Sequence, residues 1–162
     1  MSTWLTQMRE PARQAELNAA IELMHFGYRA MVAKADRVLA TRGLSRMHHR
    51  ILYFVARLPR PSVNELLRTL AVSKQALNGP LRDLYAQQLI AFERAAEDAR
   101  VKRLTLTPAG RRLEGRLSAL QRQQFETVFA SAGAEAEVGW RAAMAVLAAP
   151  ELERSARVLP RG

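Results

Sequence analysis

Cysteine is absent from the 162-residue sequence, which excludes disulfides, thiolate metal sites and peroxide sensing through an oxidisable thiol. The fold must therefore stand on packing alone. No apolar run approaches the ~20 residues that a membrane-spanning helix requires, and residues Met1 to Glu10 lack the basic-then-apolar order of a secretion signal, so a cytoplasmic, non-membrane protein is expected. Gly-rich phosphate loops, a nucleophile-elbow pattern and carboxylate pairs in apolar settings are missing too, which argues against an enzyme and calls for no cofactor or metal. Internal repeats and low-complexity tracts are also missing. What remains is a chain with 49% hydrophobic and 25% charged residues, globular proportions at a length that excludes a large multidomain enzyme.

Acidic residues are scarce relative to basic ones, 15 against 25, and the excess is not spread evenly. Residues 1–41 hold 5 basic and 4 acidic side chains, residues 42–122 hold 16 and 6, and residues 123–162 hold 4 and 5. The whole net charge of +10 thus sits in the middle segment. A cationic field confined to one segment points to a polyanionic partner, and nucleic acid fits better than a membrane because no basic amphipathic anchor rich in Trp and Phe is present.

Apolar residues at Leu17, Ile21, Met24, Tyr28, Met31, Ala35 and Val38, in steps of three and four, predict a long helix over Pro11–Thr41, closed by Gly43. Such a helix exceeds what a small domain buries on itself, so part of its stripe should pack on a second chain. Ser45 reads as the N-cap of a second helix, Arg46–Arg57, with Met47, Ile51, Leu52 and Val55 facing inward, ended by Pro59 and Pro61. Ser62 caps a third helix, Val63–Leu70. After Ala71-Val72, Ser73 caps a fourth that reaches about Gln87. There Leu77, Leu81 and Leu84 share one face, while Gln75, Gly79, Arg82 and Ala86 lie opposite.

Period two follows. Leu89–Arg94 and Val101–Leu106 read as two strands joined by the charged stretch Ala95–Arg100. Thr107-Pro108 then starts another long helix marked by Leu113, Leu117, Leu120, Phe125, Val128 and Phe129, its early turns carrying Arg111, Arg112, Arg116 and Arg122. A last helix spans about Ala134–Ala148, and the tail from Pro150 is expected to be mobile. The fold class is therefore mainly α with a small β-hairpin wing, an α+β winged helix-turn-helix. Its organisation is a dimerisation helix at 1–43, a DNA-binding domain at 44–122, and dimerisation helices with a tail at 123–162.

Helix, short helix, turn, helix and charged hairpin coincide with the basic segment, an order suited to placing one helix in the major groove and a hairpin tip in the minor groove. The run Asp98-Ala99-Arg100-Val101-Lys102-Arg103-Leu104-Thr105-Leu106-Thr107-Pro108-Ala109-Gly110 resembles the wing of the multiple antibiotic resistance regulator (MarR) family of bacterial transcription regulators. Leu44-Ser45 with Arg50-Ile51-Leu52, and Val72-Ser73-Lys74-Gln75 with Leu84 before Leu89-Ile90, support the resemblance, which covers about Leu44 to Gln121. It implies that Arg100 enters the minor groove with Asp98 holding its guanidinium, a role weighed against a solvated surface pair, and that Lys102 belongs to the same wing. It also implies that Lys74, Gln75 and Asn78 face DNA. Gln and Asn can pair with adenine, Lys suits phosphate or guanine, and the amides at Ser73 suit a phosphate.

The sequence departs from the family at Gly79, where a basic or polar contact residue is common, and at Pro80, which should bend or interrupt the helix. Arg82 either takes over a contact or stays solvated; Gly-Pro alternatively lets the backbone approach DNA closely. The resemblance further implies a homodimer on a pseudo-palindromic double-stranded DNA operator, repression, and release by a small aromatic or anionic effector held near His25, Tyr28, Arg29 and His48 or His49. Against that ligand role stands ordinary packing of these side chains. His48 and His49 are adjacent, about 100° apart on a helix, and unsuited to joint metal ligation. The competing reading is a winged-helix module for nonspecific nucleic-acid binding or protein contacts.

Overall fold

Residues 3–94 and 102–156 are described by the structure, a computed structural model. In chain order these are α1 (Thr3–Ala40), α2 (Arg46–Arg57), α3 (Val63–Leu70), α4 (Lys74–Ala86), β1 (Ile90–Arg94), β2 (Lys102–Leu106), α5 (Pro108–Ala132) and α6 (Ala134–Ala156). The chain divides into two compact units, residues 1–34 and 35–162. The first is helical, and from Pro11 to Ala30 every residue is exposed. Helix α1 begins at Thr3 rather than at the expected Pro11, and continues through that proline.

The second unit is built on leucine. Ala35 and Leu39 at the end of α1, Ile51, Leu52 and Val55 of α2, Leu66 and Leu70 of α3, and Leu77, Leu81 and Leu84 of α4 join Leu89, Ile90, Leu104, Leu106, Leu113 and Leu117 in one core. Gly43, at φ 65°, provides the left-handed turn that closes α1, with Leu44 N–H returning to the Leu39 carbonyl at 3.0 Å. Ala71 takes the same conformation between α3 and α4, and the Arg50 guanidinium donates to the Leu70 carbonyl at 3.1 Å beside it.

Two prolines expected to disturb or end helices lie inside them. Helix α4 continues through Pro80 without interruption. Gly79 has no Cβ to collide with the proline ring, and burial of Leu77, Leu81 and Leu84, worth ~1.5–3 kcal/mol each, outweighs the ~3 kcal/mol an interior proline costs. Helix α6 likewise passes Pro150 and ends at Ala156, where a mobile tail was expected. Strong helix formers flank that proline, and Arg154 pairs with Glu151 on the turn beyond it.

The wing is a two-stranded antiparallel sheet in which Ile90 faces Leu106, Phe92 faces Leu104 and Glu93 faces Arg103. It starts at Ile90 rather than Leu89, and the Leu89 carbonyl accepts the Thr107 amide at 3.2 Å just beyond the paired strands. Thr107 caps α5 through the Gly110 amide at 3.0 Å and donates its hydroxyl to the Gln88 carbonyl at 2.6 Å. A Cβ built on Gly110 would lie 1.8 Å from the Leu89 oxygen. Only glycine lets α5 start this close to the strand.

Between α2 and α5 runs a part-buried polar chain. Arg57 donates to Glu114 at 2.6 Å, and the Ser118 hydroxyl donates to the same carboxylate at 2.5 Å. Burial alone would raise the Glu114 pKa, but these hydrogen bonds and the Arg57 charge hold it below 4.5. Glu65 behaves similarly: burial opposes ionisation, while hydrogen bonds from Ser62 and the charge of Arg103 overcome it. His49 is buried, its Nε2 without a hydrogen-bond partner among the described residues, and desolvation lowers its pKa below 6.5 despite Glu114 and Asp36 nearby.

Gly110→Ala should lose about 1–3 kcal/mol or more through the clash with Leu89. Gly115→Ala, on the same helix with nothing within 4 Å of the new Cβ, should instead gain ~0.5–1 kcal/mol. Urea unfolding of both variants checks the contrast. Stability should also decline in two stages with acid. Between pH 6.5 and the depressed His49 value the unfolded chain takes up a proton that the folded chain refuses. Below 4.5 the stabilised carboxylates of Glu65 and Glu114 are lost. His49→Leu should flatten the upper stage alone in unfolding free energies measured from pH 7 to 4; an unaltered upper slope would assign that titration to another group.

Candidate nucleic-acid interface

Helix α4 is held by its leucine face, so its opposite face is presented outward. Lys74, Asn78 and Arg82, at successive steps of four, are exposed along the side that runs from the leucine stripe toward that face. Together with Gly79 and Tyr85 they form one wall of an open groove of about 780 Å³. Ser62, Val63 and Asn64 at the start of α3 close one end, and Phe92 and Lys102 of the wing form the other wall. The structure therefore brings together four of the expected contact residues, Lys74, Asn78, Arg82 and Lys102. Ser73 and Gln75 are exposed but do not line that groove. Ser73 is an N-cap whose hydroxyl accepts from the Ala76 amide at 3.2 Å, which leaves the Lys74 and Gln75 amides at the exposed helix start without intrahelical acceptors. Asp98 and Arg100 lie outside the described residues.

Charge in the second unit is sorted by position. Arg46 pairs with Asp36 at 2.7 Å, Arg57 with Glu114 at 2.6 Å, Arg60 with Glu93 at 2.5 Å and Arg103 with Glu65 at 2.8 Å. All four arginines tie one scaffold element to another. By contrast, Lys74, Arg82 and Lys102 form no ion pair among the described residues. The groove is thus lined by cations that the protein does not neutralise, with Asn78 as a donor and acceptor between them, and its chemistry suits phosphate and base edges. Lys102 also stands 5.9 Å from the Phe92 ring centroid, which limits where its ammonium can go.

Gly79 leaves the middle of this wall bare. Nothing lies within 4 Å of a Cβ built there, so glycine is not required by crowding from the protein itself. Tyr85, half-exposed and 5.5 Å from Phe92 between ring centroids, widens the wall with an aromatic face that the sequence reading missed. Helical spacing from Arg82 and Leu81 was the available signal for it.

His48 is not placed as a ligand-lining residue. It is buried in α2, its Nδ1 accepting the Ser45 amide at 2.9 Å, so the ring proton falls on Nε2, 3.4 Å from the Asp83 carboxylate of α4. Both ring nitrogens are engaged, and the side chain serves to join α2 to α4. His25, Tyr28 and Arg29 stand at steps of three and four on α1 and are exposed. Among the described residues no cluster of three or more His, Asp or Glu could hold a metal ion, and no helix is long and apolar enough to cross a membrane.

Similarity to known proteins agrees with this geometry. The sequence model of the MarR family matches residues 42–101, which run from the turn after α1 into the wing. The chain is 35% identical over 144 residues to the HTH-type transcriptional regulator PetP of Rhodobacter capsulatus, covering 89% of this chain and 87% of that protein. Among solved structures, a MarR family transcriptional regulator from Silicibacter pomeroyi superposes with a TM-score of 0.66 at 24% identity, covering 81% of this chain and 88% of the other. The S. aureus MepR–DNA complex superposes with a TM-score of 0.66 at 18% identity over 79% and 93%. A mainly helical chain with a two-stranded wing and an unneutralised groove beside its fourth helix, related to PetP along nearly its whole length, belongs to the MarR family of winged-helix transcription regulators.

Proposed function

We propose that the protein is a sequence-specific, homodimeric repressor that binds a pseudo-palindromic operator in double-stranded DNA. The observation that carries the reading is the cluster of Lys74, Arg82 and Lys102 around Asn78, which form no ion pair among the described residues, while Arg57, Arg60 and Arg103 are each matched with a carboxylate. Asn78 reads a base edge in the major groove, Lys74 and the α4 amides hold phosphates, and Arg82 reaches backbone or base beyond the bare Gly79. By resemblance, Asp98 and Arg100 are assigned to the minor groove.

Dimerisation follows from apolar surface that a single chain leaves uncovered. On α1, Ile21, Leu23 and Phe26 are 69%, 72% and 59% exposed. On α6, Val138, Val146 and Leu152 are 68%, 78% and 62% exposed. Large apolar side chains in such numbers on two long helices call for a partner surface, and in this family a second copy supplies it. Two copies place two α4 helices on successive turns of duplex. His25, Tyr28 and Arg29 are the groups at which a small aromatic or anionic effector would bias head spacing and release the operator.

Light scattering on the purified chain should return about twice the 18.2 kDa monomer, and selection from a random duplex pool followed by footprinting should recover a short pseudo-palindrome. A monomer, or equal affinity for random duplex, would favour a nonspecific or protein-binding module instead. On the selected operator, Asn78→Ala should cost ~1–3 kcal/mol and relax preference at one base pair per half-site, whereas Lys74→Ala should weaken operator and random duplex alike and reduce the salt slope by about 1. Fluorescence anisotropy across a salt series separates the two.

A further inference from the structure

The wing is fastened to the helix-turn-helix by a ring of four charges that is not part of the groove. A single carboxylate oxygen of Glu65, Oε2, accepts the Ser62 amide at 2.6 Å and the Arg103 guanidinium at 2.8 Å. The first bond caps α3; the second reaches β2. Arg103 also donates to the Arg60 carbonyl at 3.4 Å, and Arg60 itself pairs with Glu93, which stands directly across the ladder from Arg103. Both wing strands are therefore clamped, through opposite charges, to the Arg60–Glu65 segment that leads into α3. One backbone bond, Leu104 N–H to the Pro61 carbonyl at 2.8 Å, runs alongside.

We infer that Glu65 is a positioning residue for operator recognition: through Arg103 it fixes the angle of β2 to α3 and α4, and hence where Lys102 meets DNA. This rests on the reading of the protein as an operator-binding regulator. Glu65 is well suited to the task because it is largely buried, with 13% of its side chain exposed, and lines no part of the groove. Arg103 likewise spends its charge inside the protein, while its neighbour Lys102 presents an unpaired one to the groove. A carboxylate near a DNA-binding face would by simple electrostatics weaken binding, so its effect on affinity has opposite sign under the two accounts.

Glu65→Gln separates them in the full-length chain, because glutamine at this position still accepts the Ser62 amide in a capping box while losing the charge that holds Arg103. Affinity for the selected operator and for a scrambled duplex of equal composition would be measured by anisotropy, together with exchange of the Leu104 amide. Expected are an operator affinity about tenfold weaker, scrambled-duplex affinity equal or tighter, and faster Leu104 exchange with a melting temperature only slightly lowered by loss of one part-buried ion pair. Arg103→Gln should slow no part of this response, and the double variant should be no worse than the weaker single variant, as for two members of one interaction. Operator and scrambled affinities that tighten together with unaltered Leu104 exchange would overturn the inference, as would strictly additive losses in the double variant. Should Glu65→Gln melt early, the Arg103→Gln variant decides by the same readouts. If the unsubstituted protein fails to prefer any operator, the functional reading falls, and Leu104 exchange alone then decides whether Glu65 holds the wing.

Discussion

Three leucines on one side of α4 determine what the other side can do. Leu77, Leu81 and Leu84 are sealed in the core, two of them completely, and a helix anchored along one line cannot rotate about its axis without exposing them. Lys74, Asn78 and Arg82 are thereby held in an exposed row. The same anchorage carries the helix across Pro80, where the backbone gives up one hydrogen bond. Orientation of the outward face is thus a consequence of packing underneath it, and the exposed residues need only chemistry suited to DNA.

Electrostatics divides along the same line. Arginines that join elements are matched with carboxylates, Arg57 with Glu114 between α2 and α5 and Arg103 with Glu65 between β2 and α3. These pairs are partly desolvated and short, so they specify how helices and strands meet. Lys74, Arg82 and Lys102, which form no ion pair among the described residues, line the groove. His48 adds a further connection between elements, bonding the cap of α2 on one side and facing Asp83 of α4 on the other.

Membership of the MarR family sets this protein among transcription regulators, and its helices α1 and α6 carry large apolar side chains that are exposed. Gly79 leaves the α4 wall of the groove bare beside Asn78, and the aromatic pair Tyr85 and Phe92 lines the same groove.

Element order, the serine and threonine caps and the leucine face of α4 were legible in the sequence, because each is dictated locally: a cap needs a side chain within three residues, and an amphipathic face repeats every three or four. Gly43, Ser62, Ser73 and Thr107 all stand where such rules put them. Continuity through Pro80 and Pro150 was not legible, since a proline's cost is local while the burial that overrides it comes from residues brought together by folding. Pairing of Glu65 with Arg103, 38 positions away, and seating of the Leu89 carbonyl against Gly110 likewise involve partners whose meeting no spacing rule encodes. Residue order alone sets which side chains are basic and which helix faces are apolar. Which cations meet a carboxylate is settled by folding, because charge pairing depends on distances across elements that chain order does not fix.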